Sequence, residues 1–165
     1  MILMNFYVPF FYRKLPLYLP IIFIFCILLQ ITIGAFVSGL DAGHIYQSWP
    51  LMNESYFPDD SNLKDLFSLN SLGTPSLVQF IHRNMSYLIL LIFLFIATII
   101  FRNNDFIYMR KTILLIFVSL SLQIVLGILT VISGAQIILA SMHQIGSIIL
   151  VTTTLILVFK NSKIS

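Results

Sequence analysis

Charge is what this sequence has least of. Asp, Glu, Lys and Arg make up 9% of its 165 residues, while 59% are hydrophobic and the mean hydropathy is +1.00. A soluble domain carries roughly 25% charged residues, so a soluble enzyme, a nucleic-acid binder and a disordered tail are all excluded. Cysteine is nearly missing as well. Cys26 stands alone in an apolar run, allows no internal disulfide and reads as a small buried hydrophobe. Any redox chemistry must therefore come from a bound cofactor. The formal charge of +3 and the pI near 9.1 reflect basic residues that set orientation in a membrane, and they give no reason to expect nucleic acid as a partner. Arg13 and Lys14 precede a long apolar stretch in the manner of a signal peptide. That stretch is too long and lacks a small-residue cleavage site, so it reads as a retained anchor.

What the sequence has in abundance is long uncharged runs. Leu15 to Leu40 carries no charge for 26 residues, more than the ~20 needed to cross a ~30 Å hydrocarbon core as a helix. A second run begins near Pro75, passes His82 and Arg83, and ends at Arg102. From Thr112 to Phe159 there is no Asp, Glu, Lys or Arg for 48 residues, about twice one crossing, and Ser133-Gly134-Ala135-Gln136 is its natural break. The expectation is an all-α transmembrane protein: a four-helix bundle with spans at about 15–40, 76–101, 112–133 and 136–159 and an outer loop at 41–75.

The placement of charge tests this independently. Arg13 and Lys14, then Arg102, Arg110 and Lys111, then Lys160 and Lys163 all fall on one side of the four spans. The other side receives Asp41, Glu54, Asp59, Asp60 and Asp65 against Lys64 alone. By the positive-inside rule both termini, 1–14 and 160–165, are expected to be cytoplasmic.

The spans also repeat weakly. Leu29-Gln30-Ile31-x-x-Gly34 matches Leu122-Gln123-Ile124-x-x-Gly127, and His82-x-x-x-Ser86 matches His143-x-x-x-Ser147, in the same order. Two hairpins related by a pseudo-twofold axis along the membrane normal are expected.

Ionisable residues within a membrane are functional candidates, and His82, Arg83 and His143 qualify. Both histidines lie seven residues beyond the outer start of their span, ~10 Å deep at ~1.5 Å per residue, so they share a level and can face each other. Two opposed neutral imidazoles suit the axial positions of a six-coordinate b-type haem. Ser86, Ser147 and Gly146 offer room for a flat ring. Zinc would want more ligands than this depth provides. Arg83 has two readings, snorkelling to the outer head groups or pairing with a haem propionate. Gln30 and Gln123 are expected to bond across helices.

The segment Gly34-Ala35-Phe36-Val37-Ser38-Gly39-Leu40-Asp41-Ala42-Gly43, continuing through Tyr46 and Trp49-Pro50-Leu51-Met52, resembles the haem A synthase family of cytochrome oxidase assembly, in its alphaproteobacterial and mitochondrial branch. Val78-Gln79-Phe80-Ile81-His82-Arg83, Gln123-Ile124-Val125-Leu126-Gly127-Ile128 and Met142-His143-Gln144 extend the likeness in the family's order. The resemblance implies a family of eight spans in two four-helix halves, of which this chain is similar to the second. In that half two histidines hold haem b, and they map onto His82 and His143. The first half carries the glutamate and histidines associated with oxidising the haem O methyl group to the formyl group of haem A. No residue here matches them, so no catalytic residue is assigned to this chain, which reads as a fragment, a split subunit or a remnant.

Partners implied by the resemblance are membrane lipid, haem O as substrate, a catalytic four-span half on a separate chain, and haem O synthase. The implied location is the cell inner membrane, or the mitochondrial inner membrane in a eukaryote. His44 and Gln47 depart from the family pattern and inherit no role, and the polar stretch from Asp59 to Gly73 is expected to pack over the outer mouth. Two other readings stand beside the enzyme part: a bis-histidine membrane cytochrome that only carries electrons, and a purely structural membrane subunit.

Overall fold

In a membrane an apolar run has no hydrogen-bond partner but itself, and all four long runs of this chain fold as α-helices. The structure is a computed structural model that describes residues 13–68 and 70–163. Residues 1–12 of the expected N-terminal segment and residues 164 and 165 of the tail lie outside the described residues. Helix α1 spans Tyr18–Gly39, α2 Pro75–Arg102, α3 Arg110–Ile132 and α4 Ile137–Ser162. Each is long and apolar enough to cross a membrane, and the chain is an all-α membrane bundle.

The helix ends follow local chemistry. Pro75 opens α2, where its missing N–H costs least, and Thr74 before it is extended (φ −97°, ψ 116°), as a residue preceding proline prefers. After α1 the Leu40 N–H returns to the Phe36 carbonyl at 3.0 Å, and Asp41 turns the chain in the left-handed region at φ 51°. Between α3 and α4, Gly134 (φ 67°) and Ala135 (φ 56°) are both left-handed, and the Ala135 N–H bonds the Thr130 carbonyl at 2.8 Å. Two such residues in succession reverse the chain within four positions.

Helix α1 packs on α2 and α3 on α4, and the hairpins join mainly through α1 against α4, with a lighter contact of α2 on α3. Helices α2 and α4 therefore stand diagonally across the bundle. Arg13, Lys14, Arg102, Arg110, Lys111, Lys160 and Lys163 all lie at one end of the helices, the basic end; the long loop after α1 lies at the other. Toward the basic end the centre is apolar, with Phe23, Ile27, Phe93, Ile96, Ile100, Ile113, Ile116, Leu150 and Leu157 buried together. Phe23 and Phe93 bring their ring centroids to 6.2 Å. Phe25, Leu91, Phe95, Val118, Ile138 and Ile148 point outward, as lipid requires.

A polar clasp closes the basic end and a close backbone approach the other. At the basic end the buried Asn161 accepts from the Leu15 N–H at 2.8 Å and donates to the Leu15 carbonyl at 3.1 Å, while Lys160 Nζ donates to Thr112 Oγ1 at 2.9 Å. At the loop end a β-carbon on Gly43 would stand 2.9 Å from Ala135 Cβ, so only glycine lets the loop lie this close to the α3–α4 turn.

Candidate functional site

Six polar side chains of the helices gather between the apolar core and the loop end. Helix α1 contributes Gln30, α2 Gln79, His82 and Arg83, α3 Gln123 and α4 His143. Their spacing explains the grouping, since Gln79 and Arg83 are one turn apart on α2 and so present one face.

His82 rests against Gly34 of α1. A β-carbon there would meet its Cε1 at 3.1 Å and its Nδ1 at 3.7 Å. His143 rests against Gly127 of α3 in the same way, with Cε1 at 3.2 Å and Nδ1 at 3.7 Å from the corresponding point. Each imidazole thus packs into a notch that a side chain on the neighbouring helix would narrow. Both Nδ1 atoms are buried without a hydrogen-bond partner. The rings project from diagonal helices.

The two glutamines differ. Gln30 crosses from α1 to α2, donating through Nε2 to the His82 carbonyl at 3.0 Å and lying 3.3 Å from His82 Nε2. Gln123 is buried, its Nε2 has no partner, and its amide occupies the space where a side chain on Gly146 of α4 would begin. The bond expected across helices is present for Gln30, whereas the amide nitrogen of Gln123 makes none. Ser86 and Ser147 turn back on their own helices, each donating at 2.6 Å to the carbonyl three residues earlier, at Arg83 and Gln144.

Arg83 turns under the outer loop and is buried there. Only 7% exposed, it donates from Nη1 to the Ser48 and Leu51 carbonyls at 2.9 and 3.2 Å and from Nη2 to the Tyr46 carbonyl at 2.9 Å. Gln79 Nε2 adds a second donor to Tyr46 at 3.0 Å. Together they tie the first part of the loop down over the histidines. The partners of the guanidinium are main-chain oxygens, so its charge is not neutralised by them, and its Nε is buried without a partner.

The rest of the loop packs on this base. Tyr56 and Phe57 place their rings edge-on to Phe80, with centroids at 5.6 and 5.0 Å, and Tyr56 bonds Asn84 of α2. Tyr46 is buried and its hydroxyl donates to Asp59. Burial first, then the bond to Asp59 and the nearby Asp60 charge, push its phenol up to about 12. His44 and Gln47 lie exposed in the loop, with Gln47 Nε2 donating to the His44 carbonyl at 3.2 Å.

Sequence reasoning singled out both histidines but gave no role to Gly34, Gly127 or Gln79. The available signal was the glycine four residues after each matched glutamine, one helical turn on and on the same face.

The donor set fits an axially ligated haem. Two imidazoles from diagonal helices, each seated by a glycine notch, are the nitrogen donors that the site offers. Among the described residues no three of His, Cys, Asp and Glu gather to hold a bare metal ion, whereas a macrocycle brings four ligands of its own.

Comparison with known proteins gives a consistent result. The family described as cytochrome oxidase assembly protein matches residues 12–155. A haem A synthase from Pelagibacter ubique is 41% identical over 152 residues, covering 92% of this chain and 44% of that protein. Haem A synthases from Rickettsia felis and Roseobacter denitrificans are 39% and 36% identical over 140 and 121 residues. The chain spans less than half the length of these relatives. No solved structure matches it.

Proposed function

Because the chain belongs to the haem A synthase family of cytochrome oxidase assembly proteins, we propose that it forms the haem b-binding half of such an enzyme, with His82 and His143 as axial ligands. The observation that carries this reading is the pair of imidazoles on diagonal helices, each seated in a glycine notch. The like pairing of Gly34 with His82 and Gly127 with His143 supports a pseudo-twofold relation between the hairpins.

When bound, the haem supplies one-electron redox chemistry. The protein's residues do the rest. Gly34 and Gly127 keep the notches open, the apolar core below excludes water, and the loop tied down by Arg83 and Gln79 covers the outer side. Arg83 serves as a propionate partner, a reading supported by its free Nε–H and by a charge that only carbonyl oxygens answer.

Oxidising a haem O methyl group to the formyl group of haem A also needs a proton acceptor beside the substrate. All six carboxylates of the sequence lie outside α1 to α4. The catalytic carboxylate accordingly comes from a four-span half outside these 165 residues, on the same or a separate chain, with haem O synthase as the neighbour that supplies substrate. The membrane is the bacterial inner membrane, or the mitochondrial inner membrane in a eukaryote, with the basic end and both termini on the cytoplasmic or matrix side. Pigment extraction from a host that makes haem O tests the assignment. Haem A is expected only when a catalytic four-span partner is co-expressed, and haem A formed by this chain alone would overturn it.

A further inference from the structure

The amide of Gln30 settles a question that the two ring nitrogens of His82 otherwise leave open. Its Nε2 donates to the His82 main-chain carbonyl at 3.0 Å, and a carbonyl can only accept. The amide nitrogen, not its oxygen, must therefore occupy that position. The same nitrogen stands 3.3 Å from His82 Nε2. A second N–H facing it there would set two donors against each other, so the ring nitrogen beside Gln30 has to be the acceptor. In a neutral imidazole the proton is then on Nδ1.

We infer that Gln30 is a positioning residue that holds His82 as its Nδ1–H tautomer and presents the Nε2 lone pair to an incoming metal. The weak 3.3 Å contact keeps the lone pair's place and is readily given up, while the 3.0 Å bond to the main chain stays and fixes the amide. Gln123 cannot do the same for His143, because its amide lies against Gly146 with Nε2 unpartnered. The two axial candidates are thus prepared differently. This deepens the haem reading and rests on it for the identity of the metal; the tautomer itself does not depend on it.

The test is nitrogen NMR of the metal-free full chain in detergent, labelled with ¹⁵N-histidine, with His82→Ala assigning the signals. His82 is expected to show a protonated Nδ1 and an unprotonated Nε2, and Gln30→Met, which keeps the bulk and removes the donor, is expected to give a mixture of tautomers. Titration with haem b should show about tenfold weaker binding by Gln30→Met, in line with other groups that orient a metal ligand. If that variant does not fold, Gln30→Asn, too short to reach the ring, gives the same readout. A protonated Nε2 in the unsubstituted chain, or a tautomer indifferent to either substitution, would overturn the inference. An Nδ1–H His82 in a chain that takes up no haem would uphold Gln30's role and remove the haem reading instead.

Discussion

Gly34 and His82 form a fitted pair: a β-carbon on the glycine would stand 3.1 Å from the imidazole Cε1, so a side chain there would press the ring from its place by a few tenths of an ångström. Gly127 and His143 repeat the relationship at 3.2 Å between α3 and α4. In lipid, where apolar burial between helices gives little net drive, close approach at small residues is what lets helices associate. Here that approach also sets the depth and direction of two ring nitrogens.

Gly34→Ala and Gly127→Ala should therefore displace the imidazoles. An overpacked site of this kind costs about 1–3 kcal/mol, read as loss of haem b affinity or of thermal stability in detergent. Gly39→Ala is the control, since nothing lies within 4 Å of its would-be β-carbon. Equal behaviour of all three variants would remove the notch as an explanation.

Gly146 and Gln123 should be coupled. The Gln123 amide fills the space beside Gly146, so Gly146→Ala is expected to destabilise the α3–α4 hairpin, and Gln123→Ala should restore most of the loss. A double-mutant cycle measures the interaction. Strict additivity would show that the amide moves aside freely.

The outer loop should respond to high pH through Tyr46. Its phenol is raised from 10.0 to about 12 by burial and by Asp59 and Asp60, so the folded loop favours the neutral form. An acid raised on folding stabilises fully below its unfolded value and loses that contribution as pH climbs through its folded one. Protection of the loop from proteolysis should thus hold to about pH 10 and decline toward 12. The phenolate absorbance lost in Tyr46→Phe isolates this group, and titration of the missing component near 10 would contradict the assignment.

Orientation is open to direct labelling. In a Cys26→Ala background, Ser61→Cys in the loop should react with an impermeant thiol reagent from outside, and Ser162→Cys near the basic end only after the membrane is opened. Equal reaction of both from outside would invert or break the arrangement.

Much of this architecture was legible in the sequence, and the reason is the solvent. Hydrocarbon forces uncharged runs into helices of set length, so charge and run length alone give four crossings, and Pro75 and Gly134 mark ends that the backbone needs. The expectation that His82 and His143 share a level came from counting residues along helices. The rest depends on contacts between helices, which helical period does not encode. That the glycines of Leu29–Gly34 and Leu122–Gly127 face the histidines needs the packing of α1 on α2 and α3 on α4. Arg83 illustrates the same limit: its neighbours in sequence are apolar or neutral, and its partners are carbonyls 32 to 37 residues away, available to it only once the loop has folded back. The clasp between Leu15 and Asn161, 146 residues apart, left no trace in either segment.

The central claim is that His82 and His143 together hold one haem b, and the optical and EPR spectra of the purified chain after titration with haem b test it most directly. A single low-spin, six-coordinate haem is predicted, unreactive toward exogenous ligands, with His82→Ala or His143→Ala each opening one axial site to imidazole. A His82→Ala, His143→Ala double variant that bound haem with an unchanged spectrum would contradict both assignments at once.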